Sequence, residues 1–193
     1  GVLADDCAAV LRGFFQQRRQ QAQQQVQPLR QDALRTPERC FASVWQMCSH
    51  WQPYSEYLYT LPALEGLRWH ALDIPAGNDA TQTPTVSVWL ALHGPDAWWP
   101  QCAAWAQEQT TSGSRVLLPD VMGFGQSDKP KKVQHHQLAW HAALLQQWLK
   151  QAQFAQHTHR AAMLHDSALH LLPHLEANST TEYPAGTLFT HTL

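Results

Sequence analysis

The sequence predicts an α/β fold, a mostly parallel sheet flanked by helices, behind a Gln-rich helical extension. Three observations carry this. Apolar strand-like runs alternate with helix-like stretches from residue 66 onward, as parallel strands joined by helical crossovers do. Three of those runs stop at chemically capable residues: His93-Gly94, Pro119-Asp120 and His165-Asp166-Ser167. Ligand sites of open parallel sheets gather at such strand ends. Finally, nine glutamines between Gln16 and Gln31 set the beginning of the chain apart.

Residues 1 to 33 are expected to form the extension and residues 34 to 193 the domain. A helix starts at Asp5 or Asp6, acids suited to a helix N-terminus. Val10, Leu11, Phe14 and Phe15 fall on one stripe, while the continuation QQRRQQAQQQVQ (16 to 27) is almost wholly polar. The stripe needs a surface to dock on, either this domain or another chain.

Within the domain, residues 66 to 74 alternate as a strand does. The turn-rich stretch 75 to 84 then joins them to the apolar run 85 to 94 as an opening hairpin. A helix is expected over 98 to 109, a strand over 115 to 120, and a Gly-containing loop after it. Residues 137 to 153 form an amphipathic helix through Leu138, His141, Leu144, Leu145, Trp148 and Leu149. A strand over 161 to 164 follows. Next comes a helix-like stretch from Asp166, interrupted by Pro173, and then a last strand over 186 to 193.

The 193 residues, 44% hydrophobic and 15% charged, suffice for one core. A net charge of -2 with scattered Lys and Arg leaves no basic stripe, so nucleic acid is not an expected partner. No apolar run approaches the roughly 20 residues of a membrane-spanning helix. The start GVLADDC lacks the basic and apolar regions of a signal peptide, so a soluble, cytoplasmic protein is expected. Gly1 fits removal of an initiator Met or a cut from a longer precursor. Cys7, Cys40, Cys48 and Cys102 lack metal-ligand spacing and read as buried free thiols. The twelve histidines, among them His135, His136 and His141, accompany no HExxH pair or carboxylate cage. No metal and no cofactor is expected.

The stretch LPDVMGFGQSDKP (118 to 130), with RTPERCFASV (35 to 44), LEGLRWHALD (64 to 73) and His93-Gly94 followed by Trp98, resembles the N-terminal half of the haloalkane dehalogenases, a family of the α/β-hydrolase fold. The resemblance covers roughly residues 34 to 193. It implies an Asp that attacks the halogen-bearing carbon, forming an alkyl ester that a His-activated water hydrolyses. A carboxylate suits displacement at saturated carbon because it is already anionic at neutral pH, whereas Ser needs a base. Asp166 falls on the nucleophile position, with His165 where the family has Gln and Ser167 where it has a halide-holding Trp. Ser167 as nucleophile of a G-x-S-x-G turn matches less well, since His165 and Leu169 would replace its glycines.

The family pattern breaks in four places. Pro95 follows His93-Gly94 and has no N–H to offer an oxyanion; losing one such donor costs about 10² to 10³ in rate. The family's Asn or Glu side chain is absent there too. Ser167 lacks the indole N–H, and Ala168 and Leu169 replace the glycines that let helix and strand approach. The chain stops at Leu193, where the family continues into a cap and the loops bearing the acid and catalytic His. No His aligns with that base, and His165 and His170 are near Asp166 only in sequence.

The expectation is a non-catalytic relative, a structural or interaction subunit. In it Asp166 is a vestigial nucleophile position, and Gly94, Pro95 and Ser167 are degenerate oxyanion and halide positions. The alternative is a hydrolase of the family type, using Asp166 and completed by a C-terminal half or a second chain. A third reading is a small-molecule binder whose strand-end pocket holds His93, Trp98, Trp99, Phe124 and His165. The strand from Gly186 to Leu193, with Leu188 and Phe189, would leave an open edge. A protein partner or second copy is expected to cover it and the helix with Val10, Phe14 and Phe15.

Overall fold

A computed structural model describes residues 30–77, 88–93, 98–157, 160–164 and 166–171. The extension helix with Val10, Phe14 and Phe15, the strand at 186 to 193, and Gly94, Pro95 and His165 lie outside the described residues.

Short runs rich in Leu, Val and Trp make the strands β1 (Ala33–Leu34), β2 (Ser55–Leu58), β3 (Trp69–Ile74), β4 (Val88–Leu92), β5 (Arg115–Pro119), β6 (Lys129–Pro130) and β7 (Arg160–Leu164). Five of them form one sheet in the order β2-β3-β5-β4-β7, and β1 pairs with β6 separately. β3 runs antiparallel to β2 and β5, whereas β4 is parallel to β5 and β7. Among the described residues the sheet is therefore mixed, with β5, β4 and β7 forming its parallel part.

The expected hairpin between β3 and β4 does not form, because β5 lies between them. Burial explains why. All five residues of β4 are buried, which suits a central strand with parallel neighbours and both faces covered. β2 was not legible as a strand: Ser-Glu-Tyr-Leu is short, and three of its four residues are only half-buried, as at a sheet edge.

Strand parity divides the core into two layers. Val88, Leu90 and Leu92 of β4 join Leu117, Trp69 and Ala71 on the face covered by helix α3 (Leu138–Gln151). Trp89 and Ala91 join Val116, Leu118, Leu72 and Ile74 on the other face. That face is covered by α1 (Ala42–Met47) and α2 (Ala103–Thr111), whose residues Val44, Trp45, Ala103, Trp105 and Ala106 pack there. In α3, Leu144, Leu145, Trp148 and Leu149 are buried as the periodicity requires, each worth about 1.5–3 kcal/mol of apolar burial. Leu138 opens the helix and remains 44% exposed, so the buried stripe begins later. No helix among the described residues is long and apolar enough to cross a membrane.

Candidate functional site

The carboxyl ends of β4, β5 and β7 lie side by side, and the loop after β5 is braced over them. Register aligns Leu92 with Leu164, so His93 and Asp166 follow one aligned pair by one and two residues. Asp166 begins a 3-10 turn, Asp166–Leu171. A helical turn at Asp166 and Ser167 thus follows β7, which runs parallel to β4 at the edge of the described sheet.

The loop from Asp120 to Asp128 holds its shape through buried charge. Asp128, 1% exposed, accepts from Arg35 Nε at 2.6 Å and Arg35 Nη2 at 2.8 Å, and from the Arg68 N–H at 2.8 Å. That pairing raises the Arg35 pKa. Lys129 Nζ donates to the carbonyls of Gly125 and Ser127, each at 2.8 Å, and burial lowers its pKa. Gly125 sits at φ +49°, and a Cβ there would collide with the Asp120 carboxyl group and Trp98 Nε1. The GFG sequence is thus a requirement of loop geometry and close approach.

Under this loop lies a polar box on the α2 side of the sheet. Asp120 and His70 are both 0% exposed. Asp120 Oδ2 accepts from His70 Nδ1 at 2.8 Å and from the Gln126 N–H at 2.8 Å. His70 Nε2 faces Ser55 Oγ at 2.8 Å and Gln126 Nε2 at 2.7 Å. Ser127 Oγ accepts from the His70 N–H at 3.0 Å and donates to the Asp120 carbonyl at 2.9 Å. His93 Nε2 accepts the Val121 N–H at 2.9 Å, tying the end of β4 to the start of the loop. Tyr57 stacks near His70 and under Arg68, and burial pushes its phenol up to about 12. None of His70, Ser55 or Gln126 was singled out from sequence. The available signal was a His inside the apolar run of β3, one strand away from an Asp at a strand end.

The sequence-derived pocket residues divide. His93 is buried and meets Phe124 edge-on at 6.1 Å. Trp99 is 1% exposed and packs on Trp45 and Trp51, while half-buried Trp98 lies against Phe41 at 5.3 Å. A small cleft of about 10 Å³ opens on the other face, between Trp69, Leu92, Val121, His141, Leu145 and Leu171. It has room for about one water. Burial, with His136 nearby, holds the His141 imidazole down at about 4.

Among the described residues no group of three or more His, Cys, Asp or Glu could hold a metal ion. Cys48 and Cys102 are buried and free, but Cys40 is exposed. The expectation of buried thiols fails there, because Cys40 lies within a surface 3-10 turn, Glu38–Phe41, in which only Phe41 is buried.

No protein-family model matches the chain. It is similar to a haloalkane dehalogenase of Mycobacterium marinum, 27% identical over 129 residues, which are 66% of this chain and 39% of the relative. It is also similar to one of Mycolicibacterium paratuberculosis, 33% identical over 61 residues, 32% of this chain and 20% of the relative. The chain therefore spans two fifths or less of the length of these curated relatives. Among solved structures, the tetrameric haloalkane dehalogenase of Paraglaciecola agarilytica NO2 superposes with a TM-score of 0.53 at 27% identity, over 69% of this chain and 40% of that one. An α/β hydrolase of Novosphingobium aromaticivorans does so with a TM-score of 0.51 at 21% identity, over 66% and 40%. The second likeness is one of fold alone.

Proposed function

Because the chain is a haloalkane dehalogenase-like protein of the α/β-hydrolase fold, we propose that it keeps the nucleophile position of that family without its catalysis. In this reading it serves as a structural or interaction subunit of a complex in the cytoplasm. The observation that carries the reading is Pro95. His93 is anchored by the Val121 N–H directly after β4. The residue two positions on can donate nothing to an oxyanion. Ser167, in place of an indole donor, removes support for a departing halide as well.

A subunit role also draws support from the tetrameric state of the Paraglaciecola relative: a second copy of this chain is the first partner to test, through the helix with Val10, Phe14 and Phe15 and the strand from Gly186 to Leu193. Halide release from a short bromoalkane, followed by ion chromatography, tests the catalytic half of the proposal. Release equal in the native chain and in Asp166→Ala is expected. Release above that level in the native chain alone would overturn it.

A second reading is favoured by one observation: the turn beginning at Asp166 follows β7, which runs parallel to the central strand β4 at the edge of the described sheet, and a strand-to-helix turn is where this fold presents its nucleophile. Asp166 would then be the nucleophile of a dehalogenase-type hydrolase whose base and cap come from further sequence or a second chain. Covalent alkylation of Asp166 only in the presence of such a partner would support it.

A further inference from the structure

We propose that Ser55 is an activated hydroxyl, a covalent acceptor for activated acyl or phosphonyl groups, with His70 as its base and Asp120 orienting that base. The proposal does not use Asp166 and stands or falls independently of the reading above.

The protons in this cluster can be assigned from who can donate. Asp120 Oδ2 only accepts, so the His70 Nδ1 that faces it at 2.8 Å carries the ring proton. Trp45 Nε1 only donates, and it meets Gln126 Oε1 at 3.0 Å. The Gln126 amide nitrogen therefore turns toward His70 Nε2, 2.7 Å away. Both ends of the chain of contacts give the same tautomer, a neutral imidazole with its lone pair on Nε2. Ser55 Oγ lies 2.8 Å from that lone pair. Serine, imidazole and carboxylate thus stand in the relation that marks a nucleophile, its base and the group that orients the base, a relation recognised by geometry rather than by position in sequence.

Surroundings complete the case. His70 and Asp120 are 0% exposed, with the rings of Tyr57 at 5.2 Å and Trp45 at 6.3 Å from the imidazole. Ser55 is half-buried at the start of β2, an edge strand of the described sheet, while the base beside it is fully buried. Gln126 shares the Nε2 lone pair and so restrains the reactivity of Ser55.

With a fluorophosphonate, Ser55 Oγ forms a bond to phosphorus and the P–F bond breaks. Fluoride leaves, and the hydroxyl proton passes to His70 Nε2 and on to solvent. With an activated ester, Oγ bonds to the carbonyl carbon, the C–O bond to the alcohol breaks, and the alcohol leaves with the proton that His70 received.

The test treats the full chain with a fluorophosphonate and maps the labelled peptide by mass spectrometry. The phosphonyl group is expected on Ser55 and absent there in Ser55→Ala. Asp120→Asn, where it keeps its circular dichroism, is expected to label at least about tenfold more slowly, since it disturbs the tautomer that makes Nε2 basic. Gln126→Met, which leaves the lone pair to Ser55 alone, is expected to label at least as fast as the native chain. No phosphonyl on Ser55 in the native chain, undiminished labelling in folded Asp120→Asn, or slower labelling in Gln126→Met would each overturn the proposal.

Discussion

Arg35 and Asp128, 93 positions apart in sequence, meet through two hydrogen bonds of 2.6 and 2.8 Å. They pin the start of the domain to the end of the loop that follows β5. Asp128 is 1% exposed on its side chain and Arg35 16%. Removing the guanidinium leaves a buried carboxylate with the Arg68 N–H as its remaining donor. Arg35→Ala is expected to lower unfolding free energy by about 2–3 kcal/mol, less than for a fully buried pair because Arg35 reaches solvent. Urea denaturation of both proteins at one pH measures this. A midpoint within error of the native chain would show that the loop does not depend on the pair.

Gly125 has a positive φ and no space for a Cβ beside the Asp120 carboxyl group and Trp98 Nε1. Gly125→Ala is therefore expected to cost about 2–4 kcal/mol, combining backbone strain with the displacement of buried groups. Gly123 supplies the contrast. Its φ is also positive, but nothing lies near a Cβ there, so Gly123→Ala is expected to cost only about 1 kcal/mol. Thermal or urea unfolding of the two variants side by side checks the order.

His141 links the apolar cleft to pH. Burial depresses its folded value to about 4 from an ordinary 6.5. As pH falls, the unfolded chain takes this proton first, so stability is lost between 6.5 and about 4 and is unaffected by this group above that window. His141→Leu, which places an apolar side chain among Leu144, Leu145 and Leu171, is expected to flatten that part of the stability profile. The check compares urea midpoints of both proteins at about pH 7 and about pH 4.5. An equal drop in both would remove His141 from the acid response.

Burial pushes the Cys102 thiol up to about 11 and raises Cys48 too, while Cys40 is exposed. An alkylating reagent at neutral pH is expected to modify Cys40 in the native protein, and Cys48 and Cys102 only after denaturation. Peptide mapping before and after denaturant separates the three.

The parts of this fold that were legible in sequence are those with a strong period or a long apolar run. The helix over 138–151 and the strands at 115–119 and 160–164 follow from Leu144, Leu145, Trp148 and from uninterrupted apolar residues that need burial on both faces. Pairing was not legible. Residues 75 to 84 look like a hairpin turn, yet β3 and β4 are separated by β5, because turn-forming residues permit a reversal without choosing the neighbour. The polar box escaped for a related reason. Ser55, His70 and the loop with Asp120 and Gln126 lie in three separate segments and become a cluster only when antiparallel pairing sets Ser55 beside Leu72 and Ala71 beside Pro119. The turn at Asp166 is legible because one local segment, the strand ending at Leu164 and the residues after it, carries it.

The central claim, that Asp166 occupies a nucleophile position without acting as one, is tested most directly by its first chemical step. A retained nucleophile would form an alkyl ester on Asp166 even with no base to hydrolyse it, so the ester would accumulate rather than turn over. The measurement is the intact mass of the full chain after exposure to a short bromoalkane, followed by mapping of the peptide that contains Asp166. The account predicts an unmodified Asp166 peptide, identical to that of untreated protein. An alkyl group on Asp166 in the native chain, absent from Asp166→Asn, would contradict it.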